Sequence, residues 1–477
     1  MKNSNFQPKK IMGVFGLVMI NVIAVDSLRA LPATAQYGLS VVFYYLVAGL
    51  LFFMPTALIA GELATGWPKT GGIYVWAKAA FNKETAFVLV CLQWLYNVCW
   101  YPTILSLMAA TLAYCIKPEL ANNNIYMFFT VSLMFWAIAL INCFGMKSSN
   151  CLMTISSLIG TIIPIFFVII LGIIWLIKGN PTQINLSLKH LLPDFDHINI
   201  LAFLTAVVFS LMGMEMSAIH AQEVNNPQKS YPKALLISSI LILGSFIFAS
   251  LAIAIVVPIK NLDIITGLLE AYQQFFNKFH MNSMLPIIAI LIVIGGAGGV
   301  GAWLLGPVKA LMIASKDGLL PVTLSQVNKY SAPRNLILFQ GVIFMILSSA
   351  FLFMPTVSGS FWLLGDLAAQ LSLIFYIGLF IVAIRLRYKH PEVKRAFTIP
   401  FGKVGIWIVG ITGITSCLFT IGVGFLPPPN ISTGNTMKFE SFLISGIILA
   451  CCLPYLIAKL YIKWHNQKTV ELKILTN

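Results

Sequence analysis

The residues best able to do chemistry in this chain sit where its hydrophobic runs are interrupted. Asp26-Ser27-Leu28-Arg29 breaks an apolar stretch that begins at Ile11 and resumes over Ala30–Ala35 with Pro32. A second stretch, from Gly213 to Pro227, sets Glu215, His220 and Glu223 into a run that opens with the apolar residues 198–212. Charge in an apolar layer is costly, and backbone unwinds there only against protein or a water-lined cavity. Each interruption is therefore a candidate binding site, and a solute path is the first hypothesis.

Asp26 and Arg29 stand three residues apart, which permits an internal ion pair. A free Arg29 would instead bind a side-chain carboxylate and favour acidic substrates. Glu215 either titrates as a proton or gating site or accepts hydrogen bonds that hold unwound backbone. His220 reads as a packing histidine or a pH sensor. Glu223, just before Asn225-Asn226-Pro227, reads as a solvated helix end or a gating carboxylate. Asp366, with Gln370 one turn later, lines a pathway or partners a neighbouring helix. Gln93, Trp94, Tyr96, Asn97, Trp100 and Tyr101 share one apolar run, and Gly295-Gly296-Ala297-Gly298-Gly299 precedes Trp303 in another. These aromatics gate or pack, and the glycines suit close helix crossing. The expected substrate site is Val25, Asp26, Ser27, Arg29, Trp94, Asn97, Ser210, Gly213, Glu215, Trp303 and Asp366. Glu215, His220 and Glu223 are the proton or gating candidates.

These residues must be held by helices. The 477-residue chain is 59% hydrophobic and 9% charged, far below the roughly 25% charge of soluble domains. With a mean hydropathy of +0.90, it reads as an all-α polytopic membrane protein. Twelve runs approach or exceed the roughly 20 residues that cross a bilayer: 11–36, 39–61, 86–116, 125–145, 151–177, 198–224, 234–258, 283–313, 335–354, 360–384, 404–426 and 440–463. The first has the basic start and small Ala33-Thr34-Ala35 of a signal peptide. Asp26, Arg29 and Pro32 separate that site from the apolar part, and eleven spans follow, so it reads as a retained helix. With the N-terminus inside, 23 Lys and Arg fall on the cytoplasmic side and 6 outside, while Arg29 lies in the membrane. The asymmetry predicts both termini in the cytoplasm, at a bacterial inner membrane. It also accounts for the net charge of +15 without nucleic acid; membrane lipid is the surrounding partner, and the oligomeric state is open.

Interruptions at the first and sixth spans point to an inverted repeat with the site between its halves. The expected organisation is an N-terminal tail 1–10, repeats 11–177 and 198–384, a peripheral pair 404–463, and a short tail 464–477 that is disordered beyond Lys463. The outer segment Leu262–Phe279 is expected to be largely helical and to cap the outer face. A half-helix beginning after the first break offers free N–H groups to a carboxylate. The first half of span six, ending near Ser210–Gly213, offers free carbonyls to an ammonium group. The pair describes an α-amino acid, with a second one as counter-substrate.

Other chemistry has little support. The eight cysteines lie in or beside apolar spans without a CxxC pair, so disulfide and metal roles are not expected. There is no Walker motif, no HExxH and no clustered triad, and Gly71-Gly72 is a turn signal. No cofactor and no enzyme activity are expected; transport would run on gradients.

Several stretches match a known pattern, in order along the chain. Gly61-Glu62-Leu63-Ala64-Thr65-Gly66-Trp67-Pro68-Lys69-Thr70-Gly71-Gly72-Ile73-Tyr74-Val75-Trp76 resembles the loop after helix two of the amino acid–polyamine–organocation transporter superfamily. The run from Gly213 to Pro227, followed by Tyr231-Pro232, resembles its helix six signature. Leu305-Gly306-Pro307-Val308-Lys309 with Ser315-Lys316-Asp317-Gly318 resembles its helix eight exit. His390-Pro391-Glu392-Val393-Lys394-Arg395 and Ile399-Pro400-Phe401-Gly402 complete the set. The chain looks most like the bacterial glutamate/γ-aminobutyrate antiporters, which have a similar Phe425-Leu426-Pro427-Pro428-Pro429-Asn430. The resemblance implies twelve helices with a five-plus-five inverted repeat (LeuT-like), helices one and six broken, and amino acid exchange by alternating access. It also implies that positions 25–29 and 209–215 line the site. Two departures stand out: only Asn466–Asn477 follow the last predicted helix, in place of a long plug, and Thr154 stands where those antiporters carry a lysine. The alternatives are a proton-coupled amino acid or amine symporter, a channel, and a non-transporting receptor.

Overall fold

A computed structural model describes residues 13–68, 71–144, 155–156, 158–193, 198–216, 224–330 and 332–475 (the side chains of Val322, Ser325 and residues 462–475 excepted). The fold is all-helical, as expected. Span one is two helices, Val14–Val25 and Leu28–Ala35, bent by 42°. The other spans, two to twelve, are Gly38–Gly66, Lys83–Ile116, Asn124–Cys143, Leu158–Ile177, Ile198–Met216, Pro227–Val256, Asn282–Lys316, Arg334–Phe353, Val357–Lys389, Gly402–Gly424 and Thr436–Tyr461. Local signals set several ends. Asn82 Oδ1 accepts the Thr85 N–H at 2.9 Å and Thr356 Oγ1 accepts that of Gly359 at 2.9 Å, satisfying donors that a helix start leaves free.

Spans three, six and ten form the centre. In their most apolar stretches 72%, 78% and 72% of residues are buried, against 33% in span eleven and 22% in span twelve, so the last two lie at the periphery. Span three packs along spans ten and eight, and span seven packs along span one. Outward-facing Phe129, Leu133, Ile240, Ile346 and Phe419 are exposed, which suits a lipid surround.

Outside the spans, the helix Gly267–Phe279 lies within the segment expected to cap the outer face. Asp263 Oδ1 accepts the N–H groups of Ile265 (2.8 Å) and Thr266 (2.9 Å) ahead of it, and Leu268, Tyr272, Phe275 and Phe276 are buried. The chain end departs from expectation: the last helix runs from Thr436 to Leu475, past the predicted stop at Lys463. Residues 464–475 contain neither Gly nor Pro, so nothing in the sequence ends the ladder there.

Spans five and eight touch backbone to backbone. A Cβ built on Gly295 would lie 2.4 Å from the Gly160 carbonyl carbon, and one on Gly160 would lie 2.2 Å from the Leu291 carbonyl oxygen. Small residues at a crossing allow this approach. Gly295→Val should therefore lower thermal stability in detergent by the cost of overpacking, about 1–3 kcal/mol or more. Gly244→Ala meets nothing within 4 Å and should be neutral or stabilising by up to about 1 kcal/mol. Melting curves of the two variants check the contrast.

Candidate substrate cavity

The first break is built by Asp26 and Ser27, both extended, after the helix Val14–Val25 ends. Ser27 Oγ accepts the Arg29 N–H at 3.4 Å and opens a turn of 3-10 helix, Leu28–Ala30. The helix then resumes over Leu31–Ala35, with Pro32 near its start, where a missing N–H costs nothing. The second break follows the helix Leu204–Ser210. Leu211 and Met212 close with i→i+3 bonds to Val208 (3.1 Å) and Phe209 (3.3 Å). Gly213 has φ +122°, a region that L side chains rarely adopt. Its N–H turns away from the helix to the Tyr376 hydroxyl, 3.0 Å away.

The two breaks meet. A Cβ on Gly213 would lie 2.9 Å from the Ala24 carbonyl oxygen and 3.3 Å from Trp303 Cζ2. Glycine is thus required twice over, by conformation and by the closeness of span one.

Beside this contact lies a cavity whose wall includes Val25, Asp26, Ser27, Arg29, Asn97, Ser210 and Trp303. Seven of the expected site residues are thereby brought together. Tyr96, Trp100, Phe209 and Met212 line it too, as do Thr161 of span five and Gly295, Gly296 and Gly299 of span eight. The glycines that let helices cross also leave room for the cavity.

Four expected residues lie elsewhere. Trp94 points to span nine, donating to Gln340 Oε1 at 2.8 Å and stacking on Phe339 at 5.8 Å. Gly213 and Glu215 stand behind the lining. Asp366 borders a separate, smaller chamber shared with Arg29. Span three and span ten are buried on nearly every face, so hydropathy could not say which face of either meets the cavity. His220, Glu223, Ser217 and Thr154 lie outside the described residues.

The charged groups do not pair with one another as the spacing allowed. Asp26 Oδ1 accepts the Ser245 hydroxyl of span seven at 3.0 Å. Among the described residues no carboxylate comes within 4.0 Å of the Arg29 guanidinium. That group lies over the rings of Phe209 (4.9 Å) and Phe361 (5.6 Å) and is 6% exposed as a residue. Glu215 Oε2 accepts the Tyr376 hydroxyl at 2.6 Å. Tyr376 and Ser245 were not anticipated; no spacing rule singles out a tyrosine or serine whose partner is remote in sequence.

A sequence model of the amino acid permease family matches residues 12–449. The chain belongs to that family. The permease is 48% identical over 451 residues to an uncharacterized transporter of Legionella pneumophila, covering 94% of this chain and 97% of that one. It is 27% identical over 469 residues to a glutamate/gamma-aminobutyrate antiporter of Lactococcus lactis, covering 97% and 93%. It is 24% identical over 398 residues to a probable agmatine/putrescine antiporter of the same species, covering 82% and 83%. The resemblance to the amino acid–polyamine–organocation superfamily is borne out, and with it a multi-pass transporter rather than an enzyme.

In this permease several of the family-like motif residues gather away from the cavity. Buried Glu62 takes Arg387 Nη2 (2.5 Å) and the Ile399 N–H (2.9 Å) on Oε2, with Arg395 Nε 3.3 Å from Oε1. Asp317 accepts Tyr74 Oη at 2.7 Å and pairs with Lys78. Burial pushes the Asp317 carboxyl up, but the bonds from Lys78 and Tyr74 and the Lys78 charge outweigh it and hold the group below its ordinary value. These contacts tie spans two, eight and ten and their connections at one end of the bundle.

Tyr376 holds both Glu215 and Gly213, so Tyr376→Phe should strand a buried carboxylate and a buried N–H. A loss of about 1–3 kcal/mol in stability is expected, together with weaker substrate binding. Thermal shift with and without substrate measures both; an unchanged melting point would mean that water replaces the hydroxyl.

Proposed function

We propose that this chain is an amino acid antiporter of the bacterial inner membrane, exchanging one amino acid for a second amino acid or its amine by alternating access. One observation carries the reading: two facing helix breaks flank a cavity that also holds an arginine with no carboxylate partner among the described residues. Discontinuous helices at the midplane are how many transporters bind zwitterions. The start of the second half-helix at Ser27–Leu28 suits the α-carboxylate, and the carbonyl end near Ser210–Met212 suits the α-ammonium. Arg29 suits a side-chain carboxylate, since guanidinium and carboxylate match in charge and fork geometry. Relatives named as a glutamate/gamma-aminobutyrate antiporter and a probable agmatine/putrescine antiporter support exchange. The paired breaks support a five-plus-five inverted repeat over 11–177 and 198–384. The 23-to-6 split of Lys and Arg supports termini in the cytoplasm.

Proteoliposomes test it. Labelled amino acid should enter only when the lumen is preloaded with a counter-substrate, and a full panel without exchange would overturn the reading. Arg29→Ala should weaken acidic substrates by about 1.5–3 kcal/mol, or roughly tenfold to a hundredfold, while sparing neutral ones. Equal losses across both classes would give Arg29 a structural role.

A further inference from the structure

The smaller chamber beside the cavity has unmet needs on both walls. Arg29 and Phe209 line both spaces, while Thr205, Phe361, Trp362 and Asp366 line the smaller one. Asp366 is 3% exposed. Among the described residues neither of its oxygens has a hydrogen-bond partner, and the same holds for Gln370 Oε1, Arg29 Nε and Trp362 Nε1. Donors and acceptors thus share one chamber without meeting.

The groups next to Asp366 spend hydrogen bonds elsewhere. Asp366 Oδ1, Gln370 Nε2 and Thr205 Cγ2 converge on the Gly424 Cα, where any Cβ would strike them. Thr205 Oγ1 gives its proton to the Ala202 carbonyl at 2.9 Å. Gln370 Nε2 gives its own to the Ile421 carbonyl at 3.2 Å, and a flipped amide would set oxygen against oxygen. Gln370 Nε2 keeps a second N–H, but among the described residues no hydrogen bond reaches either Asp366 oxygen. Burying a carboxylate unpaired is costly, and a carboxylic acid carries no charge to bury.

The opposing charge is close. Arg29 Nη1 lies 3.3 Å from where a Cβ on Gly365, the residue before Asp366, would sit. Arg29 is the charged side chain that shares this chamber with Asp366. Span six presents Thr205 and span eleven presents Gly424 and the Ile421 carbonyl, none of which titrates.

We propose that Asp366 is a proton site that controls whether Arg29 is available to an anionic substrate. With a proton from water on its carboxyl, Asp366 is neutral and Arg29 is free to turn its charge to the main cavity. Once that proton returns to water, the carboxylate draws the guanidinium into the smaller chamber, and the acidic substrate loses its partner. Acid therefore favours binding of acidic amino acids and leaves neutral ones unaffected. This rests on the exchange reading above.

The test uses the full chain and its Asp366→Asn and Asp366→Glu variants in proteoliposomes, with KM for glutamate and glutamine measured from about pH 5 to about pH 9, above the ordinary carboxyl range. The wild type should lose glutamate affinity as pH rises, approaching tenfold per unit past the titration point of Asp366. Asp366→Asn should hold the low-pH affinity throughout, Asp366→Glu should restore a pH slope, and glutamine should be flat in all three. A wild-type slope in Asp366→Asn, or equal loss of both substrates, overturns the proposal. Infrared difference spectra of the solubilised protein over the same titration decide the proton independently of transport. A protonated-carboxyl band that vanishes with alkali in the wild type and is missing from Asp366→Asn supports it, and no such band overturns it. Absence of exchange with the band present would instead sink the antiporter reading alone.

Discussion

Ala24 and Gly213 set the terms for everything around them. Helices broken within an apolar layer leave N–H and carbonyl groups that lipid cannot satisfy, so each break has to be enclosed by protein. Here the two breaks enclose each other, because the absent side chain of Gly213 lets the backbone of span one come against it. The Tyr376 hydroxyl then takes up the Gly213 N–H, which ties span ten to the break. Spans three and eight close the remaining sides, and the cavity is the space these constraints leave.

The same constraint explains what the sequence made legible. Hydropathy and length yield the spans because lipid imposes one strong rule on every helix. The two breaks are visible because Asp26, Arg29, Gly213 and Glu215 violate that rule. The helical segment beyond Lys463 was missed because polar composition says little about whether a ladder continues. Within the site, the break segments were legible as such, whereas on the unbroken helices some expected residues reach the cavity and others do not. Trp94 and Asn97 are three positions apart on one helix, yet only Asn97 reaches the cavity. A helix buried on nearly every face carries no period that marks one face as functional.

The family-like motifs teach a different lesson. Glu62, Asp317 and Arg395 are strong markers of membership, but they tie one end of the bundle together. A buried carboxylate held by Arg387, Arg395 and the Ile399 N–H is satisfied only while those elements stay together. Removing one partner leaves charge stranded, so the cluster favours a shared position for spans two and ten. The cavity is lined instead by side chains such as Arg29 and Ser210, which sit at the breaks and belong to no long motif.

Glu215 now has a role that geometry can argue. One oxygen accepts the Tyr376 hydroxyl, and that hydroxyl's own oxygen accepts the Gly213 N–H. Moving the carboxylate would free the tyrosine, and moving the tyrosine would strand the N–H of the unwound turn. Three groups on spans six and ten are thus fixed as one unit behind the cavity wall. That geometry suits a strut for the break, whereas Arg29 and Asp366 share a chamber without pairing among the described residues.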